Sequence, residues 1–122
     1  MLYARSDFHE WGSLDEADAT TPRYFVVVRG RLALPTVAEN RTAHDTVASG
    51  GQAMAMAAGD VAHIVFLGAD DDREFLAIDV WPTTDNMMAL YTDPLFVAAF
   101  GSLFEAPGPV VGVYESTDWH SW

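Results

Sequence analysis

The sequence predicts an α+β domain, and three observations carry that prediction. Four β-branched or aromatic runs of strand length are separated by two stretches with helical spacing. Their order, β-α-β-β-α-β, is that of the ferredoxin-like split βαβ unit, a four-stranded antiparallel sheet with two helices on one face. The chain has 122 residues, half of them apolar, which suits one domain with a real core.

Residues 1–22 read as a polar, acidic arm in which Phe8 and Trp11 are isolated anchors. Ser13-Leu14-Asp15-Glu16 fits a capping box and predicts one short helical turn. The domain proper is expected over residues 23–118. Its first strand covers residues 24–32, apolar on both faces for most of its length, and Leu34-Pro35-Thr36 breaks it. A helix is predicted over residues 37–58, with His44, Val47, Ala48, Gly51, Met54, Ala55 and Ala58 on one stripe. Gly50-Gly51 predicts a kink there, since two glycines cost about 2 kcal/mol relative to alanine. Gly59-Asp60 closes the helix.

Residues 61–67 and 75–81 form the second and third strands, joined by the polar turn Gly68-Ala69-Asp70-Asp71-Asp72-Arg73 into a hairpin. Thr83-Thr84-Asp85 caps a second helix through Tyr91. Asp93-Pro94 restarts it, proline suiting a first helical position, and it runs to about residue 104. The fourth strand covers residues 110–116. Residues 119–122 form a tail in which Trp119, His120 and Trp122 are expected to act as packing anchors.

Net charge is −12, from 18 acidic residues against six basic ones, all arginine. Phosphate backbones and anionic membranes should repel such a chain, so neither nucleic acid nor membrane is an expected partner. Cysteine is absent, which removes disulfides, thiolate metal sites and cysteine nucleophiles. No apolar run approaches the roughly 18 residues that cross a membrane. The first residues lack the layout of a signal peptide, so a cytoplasmic location is expected. The sequence contains no phosphate-binding glycine loop, no G-x-S-x-G and no H-E-x-x-H. No cofactor and no metal are expected.

One layer of helices covers only one sheet face, yet both faces are apolar. Val26, Val28, Ile64, Phe66, Ile78 and Val80 are assigned to one face, and Phe25, Val27, Val65, Leu67, Phe75 and Val111 to the other. A second copy of the chain is the simplest cover for the bare face, and a homodimer is expected.

Gly59-Asp60-Val61-Ala62-His63-Ile64-Val65-Phe66, Phe75-Leu76-Ala77-Ile78-Asp79-Val80-Trp81 and Tyr91-Thr92-Asp93-Pro94-Leu95-Phe96 carry a resemblance. Over residues 23–116 the chain resembles the dimeric α+β barrel superfamily, in its antibiotic-biosynthesis-monooxygenase-like branch. The resemblance implies two ferredoxin-like sheets facing each other across a dimer axis. It also implies a small aromatic or polyketide-like ligand, or haem, between sheet and helices, and in some members oxygenation without a cofactor. Haem-degrading members pair an asparagine on the first strand with a histidine on the second helix. This chain has neither.

Four charged or titratable residues fall where strands should be apolar: Arg29, His63, Asp79 and Glu115. All are odd-numbered, and alternation along a strand suggests a row Glu115–Arg29–Asp79–His63 across one face. A hairpin turn centred on Asp71 sets His63 opposite Asp79. A carboxylate beside a histidine fixes its tautomer and raises its basicity. His44, on the helix stripe, could close over the pair.

The expected catalytic residues are therefore His63 as base, Asp79 as its orienter and His44 as a second polar contact. Arg29, Trp81, Tyr91, Met54 and Met87 are expected to bind substrate, with Met88 beside them in the pocket. If this face instead meets the partner subunit, the same row is an ion-pair network that fixes dimer register. His44, His63 and Asp79 also have the composition of a two-histidine, one-carboxylate metal set, without a local motif. Three readings stand at this point: a cofactor-independent oxygenase, a ligand-binding module without turnover, and an architectural homodimer.

Overall fold

The computed structural model describes residues 1–13 and 23–116. The capping box predicted at residues 13–16 and the tail at 119–122 fall wholly or partly outside them. The elements are β1 (Tyr3–Arg5), β2 (Tyr24–Arg31), α1 (Val37–Ala58), β3 (Ala62–Gly68), β4 (Glu74–Trp81), α2 (Asp85–Tyr91), α3 (Pro94–Gly101) and β5 (Val110–Glu115). The sheet is antiparallel in the order β1-β3-β4-β2-β5. The ferredoxin-like α+β fold is thus present, with five strands where the sequence predicts four.

The extra strand comes from the arm. Three residues carry too little alternation to stand out in sequence. They become a strand because the edge of β3 offers unpaired backbone groups, and Tyr3 pairs with Gly68, Arg5 with Phe66. Farther along, Trp11 bridges His63 through paired backbone bonds of 3.2 and 2.8 Å. Gly12 then takes a positive φ of 68° beside the backbone of Val61, a conformation and a space that suit only glycine. Phe8 is 2% exposed, so the core receives this anchor.

Helix α1 begins at a complete capping box: Thr36 Oγ1 accepts from Glu39 N, and the Glu39 carboxylate accepts from Thr36 N. Asn40 is buried and bonds Leu34 N, Leu34 O and Thr36 O, tying the incoming loop to the first turn. The helix runs unbroken across Gly50-Gly51, against the predicted kink. Asn40, His44, Ala48 and Ala55 form its buried stripe. It ends at Gly59, in the left-handed conformation. The restart at Asp93-Pro94 is as read: the Asp93 carboxylate accepts from Leu95 N and Phe96 N.

Pairing register assigns the faces. In the hairpin, Leu67 meets Phe75, Val65 meets Ala77 and His63 meets Asp79, as predicted. Strand β2, however, pairs Val26 with Asp79 and Val28 with Ala77. Its even-numbered residues therefore share a face with the odd-numbered residues of β3 and β4, which reverses the predicted assignment of β2. The reason is that the turn fixes parity within a hairpin, whereas β2 reaches β4 only through the long α1 crossover. The helix-covered face buries Val26, Val28, Val65, Phe75, Ala77 and Trp81, together with Ala55, Met87 and Leu90. On the other face Ala62, Ile64 and Val80 form a smaller cluster with Phe25, Val61 and Phe66 around it.

Gly30 makes the closest approach in the main core. A Cβ there would stand 2.5 Å from Phe104 Cδ1, and Phe104 packs edge-on against Phe75 at 5.3 Å. Gly30→Ala should therefore cost about 1–3 kcal/mol in urea unfolding by overpacking this contact. A variant as stable as the parent would show that the ring shifts freely.

Candidate functional site

Strand pairing and one helix face bring the site together. His63 on β3 and Asp79 on β4 are cross-strand partners, with His63 Nδ1 2.8 Å from Asp79 Oδ1. Both are buried, at 4% and 5% exposure. His44 descends from α1, and its Nε2 lies 3.2 Å from His63 Nε2. The two rings are nearly coplanar, tilted by 12° with centroids 5.4 Å apart, the arrangement of an in-plane hydrogen bond. His44 Nδ1 in turn lies 3.0 Å from Asp45 Oδ1. The result is a chain, Asp45–His44–His63–Asp79, beneath α1 on the helix-covered face.

Two residues from outside the predicted set complete it. Trp11 lies over the His63 ring, with centroids 4.5 Å apart and a 27° tilt. Its indole nitrogen is buried without a hydrogen-bond partner. Asp60, at the end of α1, is 4% exposed and shares a hydrogen bond with Asp79. Its Oδ1 also accepts from Ala62 N at 3.1 Å. In sequence Trp11 reads as an isolated anchor of the arm, and Asp60 as a helix-ending turn residue. Nothing local in the sequence marks either as part of the site.

The environments push the titrating groups apart. Burial pulls His44 down to about 4, against a smaller opposing effect of Asp45, so its imidazole is neutral at pH 7. Burial works against protonation of His63 too, but the charge and hydrogen bond of Asp79, with the charge of Glu10, outweigh it and raise its pKa. Burial raises Asp60 well above the carboxylate range, reinforced by the Asp79 charge, so Asp60 holds a proton. Tyr91 is raised well above its usual value by burial and by Asp79 and Asp60. Asp79 thus receives bonds from neutral neighbours on one side and from His63 on the other. Paired groups with separated proton affinities are how one site holds both an acid and a base at neutral pH.

A cavity of about 40 Å³ adjoins this chain. His44, His63, Asp60 and Asp79 supply its polar wall, and Val28, Val47, Leu90, Tyr91, Phe96 and Phe100 much of its apolar wall. Gly51 borders it too, and a Cβ built there meets nothing within 4 Å, so the glycine leaves the helix face open. Phe96 and Phe100 stack with centroids 5.7 Å apart and a 6° tilt.

The other predicted residues stand elsewhere. Tyr91 lines the cavity. Trp81 and Met87 are buried in the core behind it, Trp81 edge-on to Tyr91 at 6.1 Å. Met54 and Met88 are about half exposed and do not line the cavity. Arg29 pairs with Leu76, lies on the opposite sheet face and is exposed. Glu115 pairs with Tyr24 at the sheet's far side and is exposed. The predicted row therefore reduces to His63 and Asp79. These two face the helices rather than the open face, so they do not form a register network between two bare sheets. His44, His63 and Asp79 connect in series instead of converging on one point, and among the described residues no three such side chains are placed to hold a metal ion.

Comparison with solved structures places the fold. It is that of the antibiotic-biosynthesis-monooxygenase-like proteins. A variant of SnoaB, a cofactor-independent oxygenase from Streptomyces nogalater, superposes with a TM-score of 0.58 at 19% identity, over 81% of this chain and 95% of that one. A second SnoaB structure gives 0.56 at 18% identity, over 84% and 97%. A protein from Nitrosomonas europaea, named a "Putative antibiotic biosynthesis monooxygenase", gives 0.57 at 10% identity, over 81% and 94%. No protein-family model matches the chain, and no curated protein matches it. No helix among the described residues is long and apolar enough to cross a membrane.

The proton held by Asp60 has a measurable consequence. Its folded-state pKa lies above the unfolded value of 3.8. Any stabilisation is therefore complete below that value and is lost as pH rises, because the unfolded chain releases the proton that the folded chain keeps. Asp60→Asn keeps an acceptor for Ala62 N and a donor for Asp79 without the titration. Its stability relative to the parent should grow from pH 4 to pH 8, reaching about 1–3 kcal/mol in urea unfolding. Parallel stability curves for the two proteins would contradict a protonated Asp60.

Proposed function

We infer that this protein is a cofactor-independent oxygenase acting on a small aromatic or polyketide-type substrate between its sheet and helices. The observation that carries this reading is the buried His63–Asp79 pair opening on an otherwise apolar cavity. Asp79 orients His63 and raises its basicity through Nδ1, which leaves Nε2 as the atom that exchanges a proton with substrate. His44 holds Nε2 in place until substrate arrives. Tyr91, Phe96 and Phe100 form the flat apolar wall for an aromatic ring.

The chemistry balances without a cofactor. His63 removes a proton from an electron-rich ring system such as an anthrone, leaving a carbanion. The carbanion gives one electron to dioxygen, and the two radicals combine into a carbon–oxygen bond, forming a peroxide. The proton returns as the peroxide loses water and becomes a ketone. One oxygen atom enters the product, the other leaves as water, and the substrate supplies the electrons. SnoaB, similar in fold, is a cofactor-independent oxygenase, which supports the same class of reaction.

At about 40 Å³ the cavity is smaller than the roughly 150 Å³ that accommodates benzene in a protein core. Substrate entry therefore displaces part of the wall. The segment suited to this is α3, which has no fully buried residue. Oxygen uptake with anthrone or hydroquinone probes tests the reading. His63→Ala should lower the rate by about 100-fold or more, and Gly51→Leu should lower it by filling the cavity. In the parent, the rate should rise with pH through the raised pKa of His63, because the neutral imidazole is the base. A melting shift with these ligands but no oxygen uptake would establish a binding module in its place.

We also propose that the working form is a homodimer through the helix-free face. Phe25, Val27, Phe66, Leu76 and Ile78 on that face are only half-buried, and Val110 and Tyr114 are 72% and 60% exposed. Equilibrium sedimentation at micromolar concentration should give twice the chain mass of 13.3 kDa. A stable monomer would overturn the dimer without touching the oxygenase reading.

A further inference from the structure

Little of His63 reaches bulk water directly. Trp11 covers one face of its ring, Asp79 holds Nδ1, and the residue is 4% exposed. Its other nitrogen meets His44 Nε2, and His44 is itself only 1% exposed. Phe8 and Phe75 close over the His44 ring at 5.2 and 5.7 Å. The far nitrogen of His44 meets Asp45 Oδ1, and the Asp45 side chain is 34% exposed. Hydrogen bonds therefore run without a gap from the buried sheet face to solvent.

The polarity of this chain is fixed at its outer end. Asp45 Oδ1 accepts from His9 N at 2.7 Å, so the same oxygen also accepts from His44 Nδ1–H. His44 then presents a lone pair at Nε2, and His63 must donate its Nε2–H there. The nitrogen that would take a proton from substrate is thus already protonated at rest, and a base must first lose that proton.

We propose that His44 and Asp45 are the proton outlet of His63, positioning residues that empty and refill its Nε2. In one pass the Nε2 proton of His63 moves to His44 Nε2, and the Nδ1 proton of His44 moves to Asp45 Oδ1 and on to water. One proton leaves, and His44 is left as its Nε2–H tautomer, donating to the emptied Nε2 of His63. His63 is left neutral, with Nδ1–H still bound to Asp79. The reverse pass restores the proton. The groups around the outlet are otherwise engaged: His9 Nε2 lies 2.6 Å from Gln52 Oε1, and Glu10 pairs with Arg5 and with Val65 N. The catalytic use of this outlet rests on His63 being the base, but the outlet itself can be tested apart from turnover.

Asp45→Asn keeps an oxygen that accepts from both His9 N and His44 Nδ1, so fold and polarity persist, but the amide cannot take a proton. In protein labelled with ¹⁵N-histidine, solvent exchange of the His63 Nε2 proton should slow at least about tenfold in Asp45→Asn and recover in Asp45→Glu. Backbone amide exchange in α1 should stay unchanged. Oxygen uptake with anthrone should show a lowered kcat, an unchanged KM and a larger solvent deuterium effect. Unchanged His63 exchange in Asp45→Asn overturns the outlet, whether or not any substrate turns over. Slowed exchange in a protein whose parent form consumes no oxygen establishes the outlet and overturns the oxygenase reading.

Discussion

The arrangement depends on a single cross-strand pair. His63 and Asp79 face each other because a tight turn around Asp71 sets the register of β3 against β4, and a slip of one residue in either strand would put the two side chains on opposite faces of the sheet. Two ionisable groups on a buried sheet face are costly unless each is bonded. Much of the surrounding architecture supplies those bonds. Asp60 closes α1 beside Asp79, His44 comes down from the middle of α1, and Trp11 is laid over the imidazole by a backbone bridge to His63 itself.

The N-terminal arm is thereby part of the site. Strand β1 extends the sheet edge, Phe8 fills the space beside His44 and Phe75, and His9 N anchors the carboxylate of Asp45. Glu10 accepts from Val65 N at 2.6 Å and adds negative charge near His63. One short stretch of chain thus contributes packing, orientation and charge. The opposite wall is of another kind. Helices α2 and α3 present aromatic rings and no ionised group to the cavity, and α3 is held without any fully buried residue. Under the oxygenase reading, a polar wall held by many bonds facing a yielding apolar one suits a cavity that fixes a proton donor and acceptor while admitting a bulky ring.

The glycines follow the same division. Gly12 and Gly30 are required by close approach, the first to the backbone of Val61 and the second to the ring of Phe104. Gly51 has no such neighbour. It lowers the helix propensity of α1 by about 1 kcal/mol relative to alanine and leaves open space beside His44 and Phe96. The helix tolerates it without a kink because the capping box at Thr36, the Asn40 bonds and burial of the Ala48–Ala55 stripe hold both ends.

The sequence by itself determined the α+β class, the order of the elements from β2 onward, the hairpin register and the closeness of His44, His63 and Asp79. Each of these follows from local or nearly local physics: alternation within a strand, spacing along a helix, and a turn short enough to fix which residues oppose. His44, His63 and Asp79 were legible because a titratable side chain on an apolar stripe is conspicuous. Only the tertiary structure decided the rest. The face of β2 depends on how a 22-residue helix returns the chain to the sheet, which parity along the sequence cannot convey, and Arg29 consequently lies away from the site. Trp11, Asp60 and Asp45 join the site through contacts across the fold or at the margins of elements, where no periodicity marks them. Met54 and Met87 show the same limit from the other side. Apolar spacing says that a side chain seeks shelter, but the packing of neighbouring elements decides whether that shelter is a cavity wall, the solid core or no shelter at all.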